Sequence, residues 1–320
     1  MEFILLATLL MAALVLGQAQ VDECLTQTME NPIWQQYPDN VTAMMNATIA
    51  LIPVPYTLAR SNIPAQYSIL SAGYKTLLPN LPDDTYPMVF QTAFDHGIRL
   101  GNVSIPGLDP TVETAHSVGE STNTLSFQHA SLAWPFVDLL GDGASCFIWE
   151  PEALISAGAT LPTSGAQAYG DYVYQALFDP PCDAYGAIPG GGTAVNATSN
   201  DGSGAFFETT WRDATWSPEW EQLLALFVNV TNQPSFGNAS TCDNQIRLFS
   251  KPGSPGIYSA RPVVGEVRIH LPFLSINITE CDVKGVHIGT PFIENNEVSC
   301  DSLKGYGGAD IPGWITGTGH

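Results

Sequence analysis

The stretch VVGEVRIHLPFLSINITECDVKGVHIGTPFI, residues 263–293, carries the strongest strand pattern in the chain. Its apolar residues alternate with polar ones in two opposite phases: Val267, Ile269, Leu271 and Phe273 first, then Leu274, Ile276 and Ile278. Such alternation predicts β-strand with one buried face. Pro272 stands where the phase changes, and because proline cannot donate to a strand ladder, we expect a bulge or an edge position there.

The polar positions of the same stretch carry two further predictions. Arg268 and His270 lie opposite the first apolar set, which predicts a polar or solvent-facing side. Asn277 opens the sequon Asn-Ile-Thr, and after the change of phase it falls opposite Ile276 and Ile278. Because a glycan needs a surface position, the change of phase makes Asn277 sterically suitable for one.

The rest of the chain shows helical and strand patterns in separate blocks. Apolar residues at helical spacing predict helices over 34–51, 67–78 and 152–178, whereas short β-rich runs separated by Gly, Pro and Asp occupy 86–150. Because the two patterns are segregated, we expect an α+β fold: a mainly antiparallel β-sheet with peripheral helices and a helical N-terminal segment. The alternative is an all-β sandwich, barrel or degenerate propeller with inserted helices.

The segment GAIPGGGTAVNATSNDGSGA, residues 186–205, has the composition of a surface loop or linker. It contains no GKS or GKT and no basic residue, which argues against a phosphate-binding loop. We expect residues 20–320 to form a single secreted, disulfide-bonded glycoprotein domain. If the chain has two domains, this segment is the expected division.

The first residues of the chain have the pattern of a secretory signal peptide. Residues 4–16 are apolar apart from Thr8, and Gly17 and Ala19 put small residues at the −3 and −1 places of a cleavage site. A membrane-spanning helix needs about twenty apolar residues, which is more than this run provides. We therefore expect residues 1–19 to be removed, leaving a secreted, extracellular protein without a membrane anchor.

Sequons and cysteines agree with export. The sequon asparagines are Asn40, Asn46, Asn102, Asn196, Asn229, Asn238 and Asn277. The cysteines are Cys24, Cys146, Cys182, Cys242, Cys281 and Cys300. An even number in an oxidising compartment predicts disulfides, three of them here, whose pairing the sequence leaves open. No spacing of Cys and His suits zinc, so we expect no metal and no cofactor.

The charge of the chain excludes one class of partner. Thirty-one Asp and Glu face ten Lys and Arg, which gives a net charge of −21. Nucleic acid is bound by clustered basic residues, so we exclude it. The expected partner is a small molecule or a glycan, and the oligomeric state is left open.

Three tryptophans stand close together in TTWRDATWSPEWEQLLALFVNVTN, residues 209–232. Ser217-Pro218 is typical of a helix start, because serine suits the N-cap and proline the first helical position. Trp220 then begins an apolar stripe at helical spacing with Leu223, Leu224 and Phe227. The second half of the stretch is therefore predicted to be a buried amphipathic helix.

Trp211 and Trp216 precede that helical pattern, and we take them as candidate substrate-binding residues. Glu208 and Asp213 beside them are the candidate catalytic carboxyls, because glycosidases use two carboxyls across a sugar. Glu150 and Glu152 next to Trp149 form a second pair of the same kind.

The sequence leaves open whether the protein is an enzyme. No GxSxG, HExxH or GxGxxG motif is present. One hypothesis is an enzyme that acts on a neutral small molecule or a carbohydrate in a pocket lined by aromatics and carboxylates. Its rivals are a non-catalytic extracellular binding or host-interaction glycoprotein and a purely structural surface glycoprotein.

Overall fold

A computed structural model describes residues 30–99, 125–238, 241–250 and 259–305. The predictions for the signal peptide 1–19, for Cys24 and for Asn102 lie outside these residues. The described part is mostly β, with fourteen strands in one sheet and four α-helices.

The strands are β1 (Val41–Pro55), β2 (Ser68–Ile69), β3 (Thr85–Arg99), β4 (Leu125–Asp138), β5 (Phe147–Trp149), β6 (Glu152–Ser156), β7 (Tyr172–Asp179), β8 (Gly186–Ala187), β9 (Thr193–Ser199), β10 (Phe206–Asp213), β11 (Ser235–Phe236), β12 (Thr241–Arg247), β13 (Arg261–Leu271) and β14 (Ile276–Ser299). The helices are α1 (Tyr56–Asn62), α2 (Ser71–Leu77), α3 (Thr160–Ala168) and α4 (Pro218–Val230), followed by a 3-10 helix at Cys300–Leu303. The predicted α+β fold with a helical N-terminal segment is therefore wrong.

Four long strands form a wall in the order β4–β3–β1–β14. Each outer strand of the wall divides its free edge between two partners. Strand β14 pairs with β13 over 276–287 and with β12 over 292–299. Strand β4 pairs with β6 over 129–131 and then with β5 at 134 and 137.

Two closed rings of strands result, and they share the wall. The larger ring is completed by β6, β7, β9, β10 and β13, and the smaller one by β5, β11 and β12. Most neighbours are antiparallel, but β6 and β7 run parallel, as do β5 and β11. The sheet is therefore mixed.

The wall explains why the helix predicted over 34–51 is wrong. Every residue from Val41 to Leu51 is buried, because β1 has a ring on each of its faces. A strand buried on both faces carries apolar and small residues without alternation. Such a run cannot be told from a buried helix by its periodicity.

The opening stretch of the sequence is a β-hairpin. Strands β13 and β14 are joined by a turn at 272–275, so the change of phase at Pro272 marks a turn rather than a bulge within one strand. The predicted faces are confirmed except at Phe273, which lies in the turn and is 55% exposed. Ile269 and Leu271 are buried, Arg268 is exposed, and Asn277 faces solvent between two buried isoleucines.

Two other predicted segments differ from the structure. Residues 152–178, predicted as helix, divide into strand β6, helix α3 and strand β7. Residues 186–205, predicted as a loop and as the division between domains, contain β8 and β9. Because β9 pairs with β10 on one edge and with β7 on the other, this segment is built into the sheet.

The predicted helix after Ser217 is confirmed as α4. Ser217 is its N-cap residue, Pro218 is at its start, and Glu219 and Glu221 lie in the first turn, where the helix dipole favours acidic residues. Its apolar stripe is buried: Trp220, Leu223, Leu224 and Phe227. Within the described residues, no helix is long and apolar enough to cross a bilayer.

Only some of the described cysteines form disulfide bonds. Cys242 forms a disulfide with Cys300, which ties the start of β12 to the end of β14. Cys182 is also disulfide-bonded. Cys146 and Cys281 are free thiols, so the prediction that all six cysteines form three disulfides is not met by these two.

Replacing Cys242 and Cys300 together by alanine should lower the free energy of unfolding by about 3–4 kcal/mol, because a cross-link over a long loop restricts the unfolded chain. The two residues are separated by 58 positions. Guanidinium denaturation measures the change. The control is Cys281→Ser, an exposed free thiol on β14 that should leave the denaturation midpoint unchanged. Equal midpoints for the double variant and the native chain would contradict the prediction.

Candidate functional site

Trp211, one of the predicted binding residues, belongs to the core of the larger ring. Its side chain is 2% exposed, and its indole Nε1 donates to Thr209 Oγ1 at 3.0 Å. Its ring lies 6.3 Å from that of Phe90 on the wall. A Cβ at Gly265 would come within 2.6 Å of the Trp211 ring, so the close packing here requires a glycine.

The predicted catalytic carboxyls lie on the outer surface. Glu208 points away from Trp211, since neighbours of opposite parity on a strand face opposite sides, and it pairs with Arg268. Asp213 is 80% exposed and lies 3.8 Å from Arg261. Trp216 is half-buried against the core. The structure does not bring these four predicted residues into one site.

A different group of polar residues meets inside the smaller ring, and we call it the interior cluster. It consists of the carboxyl residues Asp95, Glu150, Asp171, Asp243 and Glu294, together with His129, Arg247, Gln245 and Ser131.

The strand register places one part of the cluster on one face of the wall. Partners across a sheet share a face, and Asp95 is opposite Phe127, two residues before His129. On its other edge, Asp95 is paired with Met45 of β1. Val41 lies on the same face of β1 as Met45, and its partner on β14 is Glu294. All these residues therefore face the smaller ring.

The remaining cluster residues come from the strands and loops that close the smaller ring. Gln245 of β12 is opposite Glu294, so Asp243, Gln245 and Arg247 alternate on that same face. Glu150 directly follows β5, and its amide donates to the Phe236 carbonyl of β11.

Asp171, which directly precedes β7 in the chain, lies beside the end of β11. A Cβ on Gly237, the residue after that strand, would lie 2.5 Å from Asp171 Oδ1. The absence of a side chain at Gly237 therefore gives the Asp171 carboxyl its room.

Arg247 is fixed by helix α4 and by its own strand. Its guanidinium donates from Nε to Gln245 Oε1 at 2.7 Å and from one terminal nitrogen to the Thr231 carbonyl at 3.2 Å. Its backbone amide donates to Asn232 Oδ1 at 2.7 Å. Because Thr231 is the C-cap of α4, the negative end of the helix dipole favours the cation there.

Glu150 is held beside the cationic side of the cluster. Burial raises the pKa of its carboxyl, because the ionised form loses its hydration. The hydrogen bond from Ser131 and the nearby His129 and Arg247 lower this pKa and oppose the effect of burial. A carboxyl under these opposing influences can hold a proton and also release it, as a general acid must.

The other acids of the cluster lack such compensation. Burial raises the pKa of Asp171 well above its ordinary value, and the charges of Glu150 and Asp243 raise it further. Burial also raises the pKa of Asp243 well above its ordinary value, and the Glu294 carboxyl adds to this through its charge and a hydrogen bond. Burial lowers the pKa of Arg247, which the surrounding carboxylates oppose.

His129 and Asp95 form a pair on the wall. His129 Nε2 lies 3.5 Å from Asp95 Oδ2, and the two side chains are 16% and 2% exposed. A carboxylate in this position can orient the imidazole ring. The neighbouring His96 points to the opposite face, where burial lowers its pKa to about 4.

Among the described residues, four buried cluster atoms accept no hydrogen bond from an N–H group or a hydroxyl: Asp95 Oδ1, Asp171 Oδ1, Asp243 Oδ1 and Glu294 Oε1. The Asp243 and Glu294 carboxyls share a hydrogen bond with each other, so Asp95 and Asp171 are the acids whose oxygens lack a partner. Buried polar atoms are nearly always satisfied by protein, water or a ligand. In the described part of the chain, no group of His, Cys, Asp and Glu has the arrangement of a metal site.

The sequence contained one usable sign of this site. The sequence predicts Glu150, beside Trp149, as half of a carboxyl pair with Glu152. Glu152 lies outside the interior cluster: its carboxyl accepts a hydrogen bond from Tyr174, and burial raises its pKa to about 7. The alternation of Asp243, Gln245 and Arg247 has the appearance of an ordinary solvent-facing strand face. It becomes a site only because β12 closes a ring.

No protein-family model matches the chain, and no curated protein matches it significantly. Solved structures of distant similarity include the enduracididine biosynthesis enzyme MppR complexed with pyruvate, with 10% identity, a TM-score of 0.43, and coverage of 81% of this chain and 91% of that one. Another is an acetoacetate decarboxylase-like enzyme from Sphingomonas wittichii RW1, with 7% identity, a TM-score of 0.39, and coverage of 81% and 93%. TM-scores below 0.5 are too low to assign a function to this chain.

Replacing Asp243 by asparagine should stabilise the protein increasingly as pH rises. The folded chain keeps a proton on Asp243 above pH 3.8, the ordinary value, where the unfolded chain has released it. The native chain therefore loses stability with rising pH, by up to about 1.4 kcal/mol per pH unit. The neutral amide does not, so the difference between variant and native free energies of unfolding should grow with pH.

Denaturant titrations from about pH 4 to about pH 8 measure this difference. Asp213→Asn, which changes an exposed carboxyl in the same way, is the matched control and should show no such trend. A difference that is constant or shrinks as pH rises would show that Asp243 is ionised in the folded protein.

Proposed function

We propose that the protein is an enzyme that acts by acid–base catalysis on a small molecule or carbohydrate rich in hydroxyl or amino groups, bound in the interior cluster. The observation that carries this proposal is the placement of Glu150. Its desolvated carboxyl stands with Ser131, His129 and Arg247 in a ring interior where Asp95 Oδ1 and Asp171 Oδ1 have no partner among the described residues. Groups with shifted pKa values that converge at one place are typical of catalytic centres.

Each cluster residue has a role that follows from its contacts. Glu150 gives a proton to the leaving or developing anionic oxygen, because burial favours its protonated form. His129 accepts a proton from the substrate while Asp95 stabilises the imidazolium that results. Arg247, held by Gln245 and Thr231, favours the carboxylate that Glu150 becomes once it has given up its proton.

Replacing Glu150 by glutamine should lower kcat about 100-fold or more, because a positioned acid contributes about 10²–10⁴-fold. Purified full-length protein is incubated with a library of small hydroxylated and aminated compounds, and turnover is followed by mass spectrometry. Any substrate found is then compared between the native chain and the variant.

Glu208→Gln is the matched control, because Glu208 carries the same group on the outer surface of β10. It should leave kcat unchanged. Turnover that survives in Glu150→Gln would contradict the role of Glu150. Saturable binding without turnover in the native protein would favour a non-catalytic binding protein instead.

We also propose that the protein is exported and N-glycosylated. The apolar run of residues 4–16 supports export, and the exposure of Asn196, Asn238 and Asn277 supports glycosylation at these positions. We propose no glycan at Asn46, since its side chain is 7% exposed within β1. Asn40 and Asn229 are half-buried, and each is engaged in a side-chain hydrogen bond.

Secretion from a eukaryotic host should give a protein that begins near Gln20 and carries glycans at Asn196, Asn238 and Asn277 but not at Asn46. Burial in a strand that pairs on both edges leaves no room for a glycan at Asn46. Peptide mapping after enzymatic deglycosylation in heavy-oxygen water reads the occupancy of each site, and the N-terminal peptide is read from the same digest. An occupied Asn46 would contradict the described position of β1.

A further inference from the structure

The interior cluster has more acidic than basic groups. In the described residues it brings five carboxyls to one guanidinium and one imidazole. The lysines Lys75, Lys284 and Lys304 lie at the surface, and Lys251 is outside the described residues. A region of low dielectric cannot keep so many carboxylates ionised without further positive charge.

Arg247 offers little to an anionic ligand. Its guanidinium already donates to Gln245 and to the Thr231 carbonyl. Its charge also acts on the carboxyls of Asp95, Glu150, Asp243 and Glu294. An anion that entered the ring would meet these acids before it met an unoccupied cation, and like charges in a buried site repel strongly.

The unpartnered atoms call for hydrogen-bond donors. Asp95 is 1% exposed, and its Oδ1 has no partner, while its Oδ2 faces His129. Asp171 Oδ1 is likewise buried and has no partner among the described residues. A carboxylate can only accept hydrogen bonds, so the group that satisfies these atoms must donate several of them.

The charge of the whole chain acts in the same direction. A net charge of −21 attracts cations to the protein surface and repels anions, which raises the local concentration of a positively charged ligand. No metal-like arrangement of ligands exists in the described residues, so an organic cation fits the cluster better than a bare metal ion.

We propose that the molecule bound by the interior cluster is a small organic cation with a primary ammonium or guanidinium group, an inference that rests on the proposed function because it concerns the same site. The cation donates to the unpartnered oxygens around Asp95 and supplies the missing positive charge. Carboxyls that hold protons in the free protein then ionise. Binding therefore releases protons and becomes tighter as pH rises.

Matched pairs of small molecules test the charge of the ligand directly. Butane-1,4-diamine is compared with butane-1,4-diol, and glucosamine with glucose, with pyruvate as the anion and Ca²⁺ as the metal ion. Thermal unfolding of the full-length protein is followed with each compound at about pH 5.5 and at about pH 7.5, both above the ordinary pKa of a carboxyl. Calorimetry in two buffers of different ionisation enthalpy counts the protons released.

The amines should raise the unfolding midpoint more at the higher pH, with proton release, and the diol, glucose and pyruvate should not.

Asp95→Asn should weaken amine binding at least about tenfold, since a bond between charged groups contributes about 1.5–3 kcal/mol. Glu294→Gln is a second cluster variant in case Asp95→Asn does not fold. Asp213→Asn and Glu208→Gln are the matched surface controls and should bind amines like the native chain.

The proposal is overturned if the diol, glucose, pyruvate or Ca²⁺ stabilises the protein as much as its amine counterpart, or if no amine binds. It is also overturned if amine binding is unchanged in both cluster variants. If amines fail while Glu150→Gln abolishes turnover of a neutral substrate, the proposed enzyme stands and only the charge of its ligand is wrong. If amines bind with proton release but nothing is turned over, the binding inference stands and the enzyme proposal falls.

Discussion

The hydrogen-bonding of strand β14 is the constraint on which the rest of the structure depends. One edge of this strand pairs with β1 over residues 284–294, and its other edge passes from β13 to β12. A single sheet can close on itself only if a strand offers both edges. Because β14 offers one edge to two successive partners, it closes two rings at once. The Cys242–Cys300 disulfide then ties β12 to the end of the same strand.

The shared wall separates two interiors of different chemistry. On one face, Phe90 packs against Phe207 and Trp211, with ring centroids 5.6 and 6.3 Å apart, and this side is a mainly apolar core that also buries His287 beside Trp211. On the other face, Asp95 and His129 begin the interior cluster. Hydrophobic burial on the first side stabilises the wall and allows the second side to hold groups that each cost free energy to bury.

The interior cluster is a destabilising arrangement of buried acids. Burial and neighbouring acids raise the pKa of Asp171 and of Asp243, a direction of shift that lowers the stability of the folded chain as pH rises. Helix α4 ends against Arg247 and holds the one guanidinium that the described residues place among these acids. In the complex that we propose, a ligand that supplies donors and positive charge offsets the free energy of burying these acids.

Sequence alone determined the local features whose physical cause is local. Helix α4 follows from its N-cap serine, its N-terminal proline and its apolar spacing, and the outward position of Asn277 follows from strand alternation. The sequence of β1 predicts a helix wrongly, because burial on both faces removes the alternation typical of a strand. Only the tertiary structure decided which polar residues form the site. Glu150, Asp95 and Arg247 lie in or next to strands that are far apart in the chain. A polar strand face that points into a ring has the same sequence pattern as one that points to solvent, so the pattern alone cannot distinguish the two.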